Sequence, residues 1–283
     1  MSITKKILVA SLALILVLPA SFGCAMQVSA QEIADNAVMN YPKVATVKMD
    51  MNVTMTVEVI GGTEAAKITM LENATSSLNI ARTEIKMTMN VSGEIPGQGK
   101  QNISTEMYLV NGWMYIKVAS PSGGEQWTKM NLTEQLWAAQ NQLAQQVEFL
   151  KTAIEVISLG SEKVDGIDCY VLQVKPNMEA LIQWVMAQQQ TQSGIDLSEL
   201  NLAKLFKTTS IKEWIAKDSY LPVKVDMDVV LEMLPEDVGA TAKDFEKITM
   251  EIKGQVKYYD YDKPVTIELP PAALNAQAMP SGQ

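Results

Sequence analysis

The chain has no histidine and only two cysteines, Cys24 and Cys169, among its 283 residues. Without histidine the commonest general base is missing, and with it the Ser-His-Asp and Cys-His nucleophile arrangements and most zinc sites. Cys24 falls in the N-terminal export segment described below, where it is either lipidated or cut away. That leaves Cys169 without a partner, and the fold must be held by its core rather than by a disulfide. Cys169 lies in the strand-like run IDCYVLQV and reads as a small buried apolar residue. Phosphate-loop, dinucleotide-binding and G-x-S-x-G motifs are missing as well. The 23 Lys and Arg are outnumbered by 32 Asp and Glu, which disfavours nucleic acid, because its counterions are displaced by clustered cations. Past the N-terminus no apolar run approaches the roughly 20 residues of a membrane span. Carboxylate-pair chemistry is the one catalytic class that composition leaves open. The expectation is a non-enzyme with no cofactor, no metal and no nucleic-acid partner.

What is present begins with an export segment. Lys5 and Lys6 precede an apolar run from Ile7 to Leu18, with Ser11 its only polar member, and Pro19 and small residues follow. This is the order of a signal peptide, with a run too short to span a bilayer comfortably. Residues 1–30 are therefore read as a signal, and the protein as extracytoplasmic, either secreted or anchored to the outer face of the cell membrane. Two endings fit. Val28-Ser29-Ala30 before Gln31 places small residues where a signal peptidase cuts. Cys24, after Ser21-Phe22-Gly23, stands like a lipoprotein cysteine, although Ser21 and Phe22 depart from the usual lipobox. In the second case a lipid on Cys24 is the protein's only link to the membrane.

The mature part reads as α+β. A short amphipathic helix over Gln31–Asn40 is stopped by Pro42. From Val47 to Val59 every odd position is apolar and every even one polar, the signature of a long strand with one dry and one wet face. The same alternation returns at Ile85, Met87, Met89 and Val91. Asn111-Gly112 and Asp165-Gly166 are hairpin signals. TEQLWAAQNQLAQQVEFLKTAIEVI (Thr133 to Ile157) carries Leu136, Leu143, Val147, Leu150 and Ile154 at the spacing of one helical stripe. Further helices are expected over Met178–Gln190 and Leu197–Phe206, and strands over Ser210–Ala216, Leu221–Met233 and Ile248–Tyr258. The expectation is one domain, residues 31–275, with a large curved antiparallel sheet covered by two or three helices and a disordered tail at 276–283.

Several segments together carry a resemblance. These are EIADNAVMN before the long strand, MYLVNGWMYIKV, QWTKMNL entering a helix, EKVDGIDCYVLQVKP, IAKDSYLPVKVDMDV and the closing YYDYDKPVTIELPPAA. In this order they resemble the LolA/LppX-like superfamily of lipoprotein carriers and outer-membrane lipoprotein-sorting-type proteins, with their archaeal surface relatives. The resemblance runs along most of the mature chain and includes no catalytic signature. It implies an incomplete β-barrel closed by helices around an apolar cavity, which in some members carries acyl chains or lipoproteins.

On that reading the ligand-lining candidates are Met51, Met55, Met87, Met89 and Met107 on dry strand faces, with Trp113, Tyr115 and Trp137 near the cavity mouth. Methionine is flexible and suits adaptable apolar contacts, though the same residues serve equally as ordinary core. The expected partner is a lipid or other apolar ligand. The alternative is a cell-surface structural or interaction module with a filled core, whose partner is an envelope protein. Sequons begin at Asn52, Asn73, Asn90, Asn102 and Asn131. Alternating strands generate the first and third automatically, and Asn73 and Asn131, nearer expected loops or ends, are the better glycosylation candidates.

Overall fold

The computed structural model describes residues 28–61, 66–97, 99–120, 124–180, 182, 202–238 and 245–278. The expected signal segment, with Cys24, lies outside them. So do most of the helix expected over Met178–Gln190, of which residues 178–180 and 182 are helical, and the start of the one expected at Leu197.

Helix α1 (Ala30–Asn40) is capped by Ser29, whose Oγ accepts from the Glu32 backbone N–H at 3.1 Å, and it buries Ile33, Ala34 and Ala37. A meander follows: β1 (Thr46–Ile60), β2 (Ala66–Asn79), β3 (Glu84–Ile95), β4 (Gly99–Val110), β5 (Trp113–Ser120) and β6 (Gly124–Asn131). Asn111 and Gly112 both take positive φ, as the two-residue hairpin between β4 and β5 requires. The chain then runs through α2 (Glu134–Gln140) and α3 (Gln142–Thr152) to a second meander. This comprises β7 (Glu155–Val164), β8 (Ile167–Lys175), the short α4 (Leu202–Leu205), β9 (Phe206–Ala216), β10 (Pro222–Met233) and β11 (Lys247–Tyr259). Strand β12 (Gln277–Ala278) closes the described chain.

All twelve strands form one sheet in the order β12-β6-β5-β4-β3-β2-β1-β11-β10-β9-β8-β7. The pairings are antiparallel except that of β12 with β6, and β7 stands at the opposite edge from β12. The topology dictates where the helices lie. The chain leaves the sheet near one edge at β6 and re-enters at the other at β7, so the connection must cross one face. In a flat sheet the ten intervening steps of about 4.8 Å would separate β6 from β7 by roughly 48 Å. Helices of 7 and 11 residues cover only about 27 Å, and the few linking residues, even fully extended at about 3.6 Å each, fall short of the rest. The sheet therefore curls around its helices into an incomplete barrel.

The helix-covered end of the inner face is filled. Val47, Leu78, Ile85, Leu109, Leu143 and Leu172 are fully buried in one core that also holds Ile33 and Ile215. The single stripe expected from Leu136 to Ile154 is broken. Asn141 ends α2 and caps α3, its side-chain oxygen accepting from the Ala144 N–H while its Nδ2 donates to the Tyr41 hydroxyl. Leu143, Val147 and Leu150 keep the stripe's buried face, Ile154 is exposed just ahead of β7, and the side chain of Leu136 lies outside the described ones. Part of the tail expected to be disordered is ordered: Ala276 is buried, and Gln277 and Ala278 pair with Thr128 and Lys129; residues 279–283 lie outside the described ones.

Truncation at the covered end leaves a cavity where neighbours cannot collapse. Leu78→Ala is expected to cost about 2–5 kcal/mol in denaturant unfolding. Val57→Ala, at a half-buried position on the same face, is expected to cost about 1 kcal/mol or less.

Candidate ligand-binding face

Register and alternation sort the inner face into transverse rows. The row Tyr258–Met49–Ser76–Met87–Met107–Ile116 lies under the helices, and Tyr258, Met49, Met87 and Met107 are buried. The next row outward runs Glu213–Val225–Val256–Met51–Ala74–Met89–Thr105–Val118. Beyond it come Met227–Gly254–Val53–Glu72–Val91–Ile103 and then Val229–Ile252–Met55–Met70. Cover falls away along these rows, although Ala74, Val225 and Val229 stay buried. Met51, Val53, Met55, Met89 and Val91 are half-buried, and Val118, Ile103 and Met227 are 45%, 40% and 36% exposed. An apolar strip thus continues past the filled core on the same sheet face.

The expected lining residues separate accordingly. Met51, Met55 and Met89 stand on the strip. Met87 and Met107 belong to the filled core, and Trp137 on α2 packs against that core. Trp113 and Tyr115 are not brought together with them. On β5 it is Met114 and Ile116 that meet the inner core, so the odd positions point the other way. There Trp113 and Tyr115 join Tyr108, Val110 and Trp127 in a second cluster, roofed by Ile267, Leu269, Ala273 and Ala276 of the C-terminal tail. A third cluster on the outer face centres on Trp214, whose ring carries the Lys224 ammonium 4.0 Å from its centroid and whose Nε1 donates to Glu162 at 2.7 Å. Asn73 sits mid-strand between Asn52 and Asn90 on the exposed outer face, not near a loop, while Asn131 ends β6 and is exposed.

Two inner-face carboxyls had no distinct sequence signal. Glu213 on β9 is fully buried among Leu172, Val225 and the α3 helix. Gln146 of α3 donates to its Oε1, and Oε2 has no partner among the described residues. Burial pushes its pKa from 4.5 up to about 8, with the Gln146 hydrogen bond pulling the other way. Burial likewise raises the Tyr258 phenol, and Glu213 adds to the effect. Glu72 on β2 is half-buried, and burial raises its pKa too. Glu72 interrupts an otherwise apolar set of positions, Ile68, Met70 and Ala74, so hydropathy alone marks it as a break in a weak strand. Among the described residues no group of three or more His, Cys, Asp or Glu side chains is placed to hold a metal ion. No described helix is long and apolar enough to cross a membrane.

The sequence model of one family, described as a family of unknown function (DUF6612), matches residues 29–278. No curated protein matches the sequence. The structure is similar to the Mycobacterium tuberculosis lipoprotein LppX, with 12% identity, 84% of this chain and 98% of that one covered, and a TM-score of 0.44. It is similar to LprF from Mycobacterium bovis at 15% identity, 85% and 96% covered, and a TM-score of 0.43. A DUF1329 family protein from Desulfovibrio piger matches at 12% identity, 85% and 96% covered, and a TM-score of 0.25. These likenesses are low, and the strand order and register of the chain itself define its fold.

Glu213 predicts a pH dependence whose sign follows from its raised pKa. Between 4.5 and about 8 the folded protein holds a proton that the unfolded chain releases. The group's contribution to stability is therefore full below the unfolded value and is lost as pH rises through the folded one, by up to about 1.4 kcal/mol per pH unit. Glu213→Gln should remove that slope. Urea unfolding of both proteins from pH 5 to 8 checks it, and parallel curves would reject the assignment.

Proposed function

The chain belongs to the DUF6612 family of unknown function across residues 29–278, and since membership brings no activity with it, we propose that it is an exported, non-enzymatic protein that binds an acyl chain or other apolar ligand along the uncovered strip. The observation that supports this reading is the continuity of one apolar sheet face from a filled core into rows where Val118, Ile103 and Met227 remain exposed. Removing such surface from water is worth about 25 cal/mol per Å², and a chain laid over the strip would gain that energy without disturbing the core beneath the helices. The strip includes Met51, Met55, Met70, Met89 and Met227, and methionine re-packs around ligands of different shape. Binding would lie beside the helices rather than beneath them, because the space beneath is occupied by Leu78, Ile85, Leu109 and Leu143.

A second reading is favoured by the edge of the sheet. Among the described residues strand β7 ends the sheet, and Ile154, Ile157 and Leu159 on or beside it are 64%, 47% and 50% exposed. An open edge with apolar side chains is a template for strand addition by a partner protein. Pull-down from envelope extracts separates the two readings: a partner lost on Ile157→Lys supports the edge, and saturable lipid binding without a partner rejects it.

The proposed export also bears on the N-terminus. Ser29 caps α1, and Val28 and Ala30 pack against the core. Cleavage after Ala30 would discard a cap worth about 1 kcal/mol, so the reading favours a mature chain that starts at a lipidated Cys24. Intact mass of the mature protein checks this, and a chain beginning at Gln31 would reject it. For the strip itself, Met51→Lys and Met89→Lys are expected to weaken a fluorescent long-chain probe at least tenfold, with a smaller loss of stability than Leu78→Ala. Unchanged affinity in both, together with no lipid in extracts of native-source protein, would overturn the reading.

A further inference from the structure

The inner face is apolar, but its charge is not balanced. On β1 to β5 and β11, and on β9 and β10 from Thr209 to Ile215 and Val225 to Met233, the inward register positions include two carboxyls and no Lys or Arg. The two carboxyls are Glu213 and Glu72. Glu213 is sealed under α3 and bonded by Gln146. Glu72 is not sealed. Its four neighbours on the face are Val53 and Val91 across the strands and Met70 and Ala74 along its own. It is half-buried and forms no hydrogen bond or ion pair with any described residue. A carboxylate in that setting gives up part of its hydration and receives nothing in return.

A second polar group on the same strand is also without a partner. Ser76 is two inward positions closer to the helices, 6% exposed, and its Oγ has no hydrogen-bond partner among the described residues. Ala74 lies between Glu72 and Ser76. Ala74 is small and is flanked by Met51 on β1 and Met89 on β3, two flexible side chains at the edge of the covered rows. Glu72 stands one inward position farther out, where the cover ends. Cross-strand Cβ atoms are about 5 Å apart, so a group seated on Glu72 would touch Val53 and Val91 directly, and an attached chain would run over Met51 and Met89 in the next row.

We propose that Glu72 is the polar anchor of the strip and that the ligand is an amphiphile whose polar end is a protonated amine on an apolar chain. The inference rests on the apolar-binding reading above and deepens it. A cation at Glu72 would supply the missing partner in a low-dielectric setting, where a charge-assisted hydrogen bond is strongest. A carboxylate- or phosphate-headed amphiphile would instead meet Glu72 on strands β1 to β5, whose inward register positions hold no base. The amine could belong to a membrane lipid or to a free long-chain amine; the chemistry recognised is the same.

The test compares three probes of equal chain length, dodecylamine, dodecanol and dodecanoate, each below its micellar concentration, by titration calorimetry on the mature full chain at pH 7. The expected result is at least tenfold tighter binding of the amine than of the carboxylate. Glu72→Gln should bring those two within about threefold and leave the alcohol unchanged. Equal affinity of amine and carboxylate for the wild-type protein, or a preference that survives Glu72→Gln, would overturn the anchor while leaving apolar binding intact. Binding of none of the three would overturn the apolar-binding reading and the anchor with it. Vesicles containing an amine-headed lipid, set against vesicles of purely anionic lipid, then distinguish the membrane source from the free amine.

Discussion

The alternation along β1 is the constraint on which the rest of the structure depends. This strand lies in the middle of the sheet and pairs along nearly its whole length with β2 on one side and β11 on the other. Each half of the chain is a meander, and β1 and β11 are the seam between them. A slip of one residue at that seam would turn Val47, Met49 and Met51 toward solvent and Lys48, Asp50 and Asn52 toward the core. The seam is also held from the wet side. Lys48 meets Asp260 at 2.9 Å, Asp50 accepts from the Tyr259 hydroxyl at 3.0 Å, and Asp226 on β10 accepts from Gln255 at 3.0 Å. Such exposed contacts add little energy singly, but they are available only in the native register and so add to its specificity.

The topology follows from joining two meanders through that seam. The link from β6 to β7 must cross the sheet, and only one face is apolar enough to receive it. The helices α2 and α3 therefore lie on the face that β1 defines as dry, and their reach forces the sheet to curl. The crossing covers a band of the face rather than all of it. Tyr258, Met49 and Leu78 fall within the band, and Met55, Val57 and Met70 fall outside it. Nothing in the pattern of β1 distinguishes Met49 from Met55. The difference between core and candidate site arises from where the connection passes, which is a long-range property of the fold.

That explains how much of the fold and of the site was legible in the sequence. Period-two runs, Asn-Gly and Asp-Gly turns and the Pro42 stop are local signals, and α1, β1, the β4–β5 hairpin and the β7–β8 hairpin appear where they point. The break at Asn141 was hidden because its cause is partly tertiary: its amide caps α3 and also reaches Tyr41, a hundred residues earlier. The outward direction of Trp113 and Tyr115 is a parity question, settled once Met114 is seen in the inner core. The sequence does contain that alternation, but the aromatics on the polar side of β5 are matched by Ile267, Leu269 and Ala273 of the tail, and that pairing is a long-range property of the fold. Cys169 is buried, as its place in the apolar run IDCYVLQV predicts, and Trp214 and Val223 complete the cluster around it on the outer face.

Glu72 and Glu213 show why a buried acid is the hardest kind of residue to place from sequence. In an alternating strand a polar residue at an apolar position reads as noise. Placed on the sheet, the same residue marks where burial and function pull in different directions. Glu213 sits where cover is complete, and its cost is met by a hydrogen bond from α3 and by staying protonated near neutrality. Glu72 sits past the edge of the cover, where no described group plays either part. Stability is concentrated in the covered rows, and local opening of the outer rows costs less. A ligand on those rows can therefore gain binding energy without working against the fold, which makes the uncovered end of the dry face, rather than the filled space beneath the helices, the place where this architecture is free to act.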